Sequence, residues 1–184
     1  MQLIRCTKKL QKEMGLKTAD LIDQEIEDEI LGGWHANLLV INRRKCVLFT
    51  NDKTLFNFII TGVKKAQFAQ LHTLFKDHLQ CILADEEIDT ETRSQIMQEY
   101  QTVRFANTNS KSVLGAMNDL AFHYDTHICD DGGVNGCLLP SIINKLNRMP
   151  MKRLKYAYPI EALQSLYRLP TAPKDQGIRE LDIL

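Results

Sequence analysis

His35 and Asn37 are polar groups inside an otherwise apolar run, Trp34-His35-Ala36-Asn37-Leu38-Leu39-Val40-Ile41, that reads as a β-strand. Strand alternation puts His35, Asn37, Leu39 and Ile41 on one face. An imidazole and a carboxamide at a strand end can read the donors and acceptors of a ligand, and His35 has the chemistry of a general base. The following turn carries Arg43, Arg44 and Lys45, and guanidinium groups suit phosphate. The next strand closes on Asn51. The ordinary alternative is that His35 and Asn37 satisfy loop backbone and that the cationic turn is simply solvated.

A second constellation lies on a helix expected from about Ser110 to Ile128. Asp119, His123 and His127 follow one another at i+4 steps, with Asn118 beside them. A carboxylate and two imidazoles in such a stripe can bind a transition metal or hold a general base. Together they span about 11–12 Å of helix axis, too long for one ion. A metal would therefore use Asp119 with His123, or His123 with His127, and recruit Cys129, Asp130, Asp131 or Cys137. Zinc on His123, His127, Cys129 and Cys137 matches no finger spacing. Polar residues at the rim of a core are the plainer reading.

The third feature is the basic segment Lys145, Arg148, Lys152, Arg153 and Lys155, which contains no acid and leads into Tyr156 and Tyr158. Cations interleaved with aromatics are what binders of single-stranded nucleic acid use. Against it stands the overall balance of 23 basic and 23 acidic residues, which gives no broad electrostatic footprint.

The elements that must position these residues come from periodicity. A strand is expected at 2–6. Thr7 caps a helix to Met14, and Gly15 stops it. Residues 18–31 place Leu21, Ile22, Ile26 and Ile30 on one helical stripe. Asp20, Asp23, Glu25, Glu27, Asp28 and Glu29 lie opposite, as a solvated face or a dock for a basic partner. Runs 34–41, 44–51 and 54–61 form an antiparallel meander, the third apolar on both faces. Helices are expected at 64–83, 90–100, 110–128, 140–148 and 159–167, and a further strand near 102–106. On helix 110–128, Val113, Met117, Leu120, Tyr124 and Ile128 share one face and Phe122 sits opposite, so the helix reads as buried between layers. The fold class is α+β: a small, mainly antiparallel sheet covered by several α-helices. Residues 1–167 form a single domain and 168–184 an irregular tail.

No G-x-S-x-G, G-x-x-x-x-G-K-[ST], H-E-x-x-H or G-x-G-x-x-G occurs, so no common motif-based enzyme class is supported. The five cysteines are scattered without a C-x-x-C, the usage of reduced thiols in a cytoplasmic compartment. Cys46 and Cys81 fall in apolar runs and are expected in the core. No apolar run is long enough for a membrane span.

The segments Cys6-Thr7-Lys8-Lys9-Leu10, Trp34-His35-Ala36-Asn37-Leu38-Leu39 with Arg43-Arg44-Lys45-Cys46-Val47-Leu48-Phe49, Ser112-Val113-Leu114-Gly115-Ala116-Met117-Asn118-Asp119 and Tyr158-Pro159-Ile160-Glu161-Ala162-Leu163 resemble an uncharacterised bacterial domain-of-unknown-function family. The resemblance runs from residue 2 to about 167. It implies a bacterial or phage-borne cytosolic protein of one domain, and it carries over no activity and no catalytic residue.

Three functions are therefore expected in order. The first is a non-enzymatic binding module for a small polar or phosphorylated ligand or a protein partner, using His35, Asn37, Arg43, Arg44, Asn51, Asn118 and Asp119. The second is a metal-dependent hydrolase or nuclease on Asp119, His123 and His127, with His35 as base. The third is nucleic-acid binding through 145–158. The first requires His35 and Asp119 to share one pocket.

Overall fold

The structure is a computed structural model and describes residues 1–24, 26–27 and 29–167. The irregular tail expected at 168–184, and Glu25 and Asp28 of the acidic face, lie outside the described residues. Five strands, β1 (Gln2–Cys6), β2 (Trp34–Ile41), β3 (Arg44–Asn51), β4 (Asn57–Ile60) and β5 (Val103–Asn107), form one sheet in the order β4-β3-β2-β1-β5. The β2-β3-β4 meander is antiparallel, as its two short turns dictate. β1 runs parallel to both β2 and β5. The expected α+β class holds, with a mixed sheet.

Seven helices are described: α1 (Lys8–Met14), α2 (Lys65–Phe68), α3 (Leu71–Asp85), α4 (Thr90–Glu99), α5 (Lys111–Asp130), α6 (Leu139–Leu146) and α7 (Pro159–Tyr167). Ladder partners share a face, so the register sorts the sheet into two. Trp34, Phe49 and Phe58 point one way and meet Phe75 of α3, with Trp34 and Phe75 edge to face at 5.3 Å. Trp34 Nε1 donates to Tyr100 Oη, which donates to the Gly32 carbonyl, so the buried rings keep their polar atoms paired. The other face carries Arg5, His35, Thr50 and Asn57 as successive cross-strand neighbours. α5 covers this face, and Tyr124 Oη donates to Asn57 Oδ1 at 2.8 Å.

Several expectations are corrected. The described residues of 18–31 do not form the expected helix. A 3₁₀ turn at Thr18–Asp20 is followed by extended chain whose Ile22 N–H donates to the Phe105 carbonyl, closing part of the β5 edge. A run of acids one turn apart is also a poor helix. The helix expected at 64–83 divides in two at Gln70, which leaves helical backbone at φ −117°, ψ 30° while its N–H closes a tight turn on the Gln67 carbonyl. The third strand begins at Asn57 rather than 54, since Asn51 Oδ1 captures the N–H groups of Lys53 and Thr54, and Leu55 adopts φ 55°. Phe122 is 69% exposed, so α5 is buried on one face only. Cys81 is exposed, whereas Cys46 is buried as expected. No helix among the described residues is long and apolar enough to cross a membrane.

Candidate functional site

The polar row on the α5 side of the sheet is built from inside. His35 is fully buried, and its Nδ1 lies 2.6 Å from Asp52 Oδ1. A carboxylate there only accepts, so the proton sits on Nδ1. Asp52 Oδ2 accepts from Arg5 Nη1 at 2.8 Å. The guanidinium packs over Gly33, where a Cβ would come within 2.2 Å of Nη1. His35 and Thr50 are cross-strand neighbours, and His35 Nε2 and Thr50 Oγ1 are both buried and without a hydrogen-bond partner among the described residues. Further along the row Asn147, just after α6, takes over the β4 edge. Its Oδ1 accepts the Asn57 N–H, and its Nδ2 donates to the Asn57 carbonyl.

The candidate site residues do not converge on the strand ends. Asn51 is buried, with its amide donating to the Leu31 and Gly33 carbonyls and its oxygen taken by the β3–β4 turn. Asn37 Oδ1 accepts from Thr7 Oγ1 at 2.9 Å. Arg43 and Arg44 are exposed at the far hairpin tip, where Arg44 borders a shallow hollow beside Cys129 and Gly133. Asn118 is exposed on α5. Asp119 lines a groove to which His35 does not contribute.

That groove is the largest of the described hollows, about 850 Å³, between α5 and the segment that follows α6. It brings together two sets of residues that sequence kept apart. Asp119 and His123 come from α5, and Lys152 and Arg153 from a 3₁₀ turn at Lys152–Leu154. His127 lies outside it, and among the described residues no group of three or more His, Cys, Asp and Glu side chains is placed to hold a metal. The basic segment is divided as well. Arg148 Nη1 is bound to buried Glu86 at 2.5 Å and borders another hollow, and Lys145 is exposed on α6.

The wall of the groove at 151–157 is held in an uncommon shape. Lys155 and Tyr156 both adopt left-handed backbone, φ 53° and 68°, at about 1 kcal/mol or more each for residues with a Cβ. Backbone bonds from Tyr156 N to the Met151 carbonyl and from Met151 N to the Ala157 carbonyl close the loop. Tyr156 is left 68% exposed. Arg153 Nη1 donates to the Asp52 carbonyl at 2.6 Å, tying this wall to the turn that holds the Arg5–Asp52–His35 group. The Lys152 ammonium has no ion-pair or hydrogen-bond partner among the described residues and is free to meet an anion.

Sequence reasoning missed Asp52 and Arg5 as the partners of His35, and Phe122 as a groove residue. Phe122 did announce itself, as a large apolar side chain on the polar side of a helical wheel. Burial was the wrong explanation for it.

Fold and groove together define a single α+β domain with a polar row across one face of its sheet and a cationic, aromatic-lined groove at the rim. Residues 3–162 match the model of DUF6933, a domain of unknown function, and the chain belongs to that family. Neither a curated protein nor a solved structure matches it.

Proposed function

We propose that the chain is a non-enzymatic binding module for a small phosphorylated ligand seated in the groove between α5 and residues 149–156. The observation that carries this is the meeting of Lys152 and Arg153 with Asp119 in a concavity of about 850 Å³, within the size range of small-molecule sites. Arg153 is steadied by the Asp52 carbonyl, and a steadied guanidinium loses less entropy on meeting phosphate. Of the seven ligand-binding residues expected from sequence, this reading keeps Asp119 at the ligand and gives His35 and Asn51 to the scaffold. Exposed free thiols at Cys81 and Cys129 support a reducing compartment such as the cytoplasm, and a bacterial or phage origin follows the family resemblance.

Thermal unfolding of the chain against a panel of phosphorylated metabolites tests the proposal. At a ligand concentration well above Kd, binding to the native state raises the midpoint. The rise should vanish in the Lys152→Ala, Arg153→Ala double variant. A flat panel, or shifts that survive the double variant, would remove the groove as the phosphate site.

A metal-dependent hydrolase keeps only Asp119 and His123 in common with the groove. Nucleic-acid binding keeps only Lys152 and Arg153 of its five cations there.

A further inference from the structure

We infer that the ligand of this groove is a nucleoside phosphate, with its base stacked on Tyr156 and its phosphate on Lys152 and Arg153. The inference rests on the phosphate reading above and adds the ring. Two large aromatic side chains that the fold leaves in solvent, Phe122 and Tyr156, line the same groove as its cations. Leu138 and Val40 are also exposed, but among the described residues Phe122 and Tyr156 are the two most exposed aromatic rings, and both flank one concavity. Neither ring is there for packing. Phe122 projects from the solvent side of α5, with His123 edge to face against it at 5.8 Å. Tyr156 is presented by a closed loop in left-handed backbone, the kind of local strain that collects at ligand sites.

An aromatic face accepts any base without reading its edge. The Asp119 carboxylate can only accept hydrogen bonds, which suits ribose hydroxyls and repels a second phosphate. A single mononucleotide is favoured over a strand. The groove has a small-ligand volume, Arg148 is engaged by Glu86, and the remaining cations are too few to release many counterions from a polyanion.

Titration calorimetry of the whole chain with AMP, CMP, ribose 5-phosphate and a twelve-residue oligothymidylate tests this. AMP is expected to bind about tenfold or more tighter than ribose 5-phosphate, from the stacking of one base. Tyr156→Ala should erase that advantage and leave ribose 5-phosphate unchanged, while Tyr156→Phe keeps it. Phe122→Ala should weaken AMP and CMP alike. Because both side chains are exposed, these variants fold, and an unchanged unfolding midpoint verifies it. Equal affinities for AMP and ribose 5-phosphate would overturn the ring while leaving the phosphate reading standing. AMP affinity unaltered by Phe122→Ala with Tyr156→Ala would do the same. Oligonucleotide binding without AMP binding would overturn the mononucleotide in favour of a strand. No binding of any of the four, together with a flat metabolite panel, would sink both readings.

Discussion

His35 Nδ1 and Asp52 Oδ1 stand 2.6 Å apart beneath α5, and the second oxygen of the same carboxylate takes Arg5. Each oxygen of the carboxylate is taken by a different strand, so two donors converge on one group. Asp52→Asn removes its charge and leaves a guanidinium and an imidazole facing an amide. Breaking a buried ion pair from one side costs more than the pair contributes. Asp52 keeps some contact with solvent, so a loss of about 2–3 kcal/mol in urea unfolding is expected. A loss under about 0.5 kcal/mol, the range of ordinary surface changes, would show that the group is not structural.

Gly33→Ala should break the same group from the backbone side. Its Cβ would fall 2.2 Å from Arg5 Nη1 and force the guanidinium off Asp52. The expected cost is about 2 kcal/mol, and it should shrink to a fraction of that when Arg5 is already Met. The double-mutant cycle measures the difference. Additive losses would mean that Gly33 is required for some other reason.

Thr50→Val tests the opposite imbalance. Thr50 pairs with His35 across the ladder, and among the described residues neither its buried hydroxyl nor His35 Nε2 has a hydrogen-bond partner. A buried hydroxyl that makes no bond costs free energy, and Val is at home in a strand. Stabilisation by about 1 kcal/mol in chemical denaturation is expected. Destabilisation would reveal a partner for the hydroxyl in solution.

What sequence made legible follows from which forces are local. Short apolar runs placed β1, β2 and β3, the last two rich in β-branched and aromatic residues, because strands packed on both faces are apolar at nearly every position. Thr7 and Gly15 bounded α1 for reasons within one turn, although the Thr7 hydroxyl in fact donates to Asn37 rather than capping. The segment 18–31 misled because its apolar period is real, but Ile22 satisfies its backbone on β5, a partner more than 80 residues away. The site failed for a similar reason. His35 and Asn51 looked available because polar groups in apolar runs are uncommon, and their partners, Asp52, Leu31 and Gly33, sit on turns whose geometry no period encodes. Lys152, Arg153, Asp119 and His123 were each singled out from sequence. Only the chain path brought them to one groove.

Asn147 should be worth more than its single side chain suggests. It closes both backbone groups of Asn57 at the edge of β4, at 2.9 and 2.8 Å. Asn147→Leu strands a donor and an acceptor in the interior, so a loss of about 3 kcal/mol is expected. Tyr124→Phe removes one hydroxyl bond from the same cluster and should cost about 1 kcal/mol. Hydrogen exchange separates the two: the Asn57 amide should lose protection in Asn147→Leu and keep it in Tyr124→Phe. Equal protection in both would deny Asn147 its role as the edge cap.

Cys6 sets an alkaline limit on the fold. Burial on β1 pushes its thiol from 9.0 up to about 12, because a thiolate there would be stripped of water. In the unfolded chain the thiol ionises near its ordinary value, so above that pH the unfolded state gains stability and the native state does not. The native contribution is therefore whole below pH 9 and falls between 9.0 and about 12. The slope is up to about 1.4 kcal/mol for each pH unit. Cys6→Ala removes this one titration while leaving other alkaline groups in place. Urea unfolding at pH 8, 9, 10 and 11 should show the wild type losing stability more steeply than the variant above pH 9 and in parallel with it below. Parallel curves throughout would mean that the native chain admits the Cys6 thiolate, and with it water, at the buried end of β1.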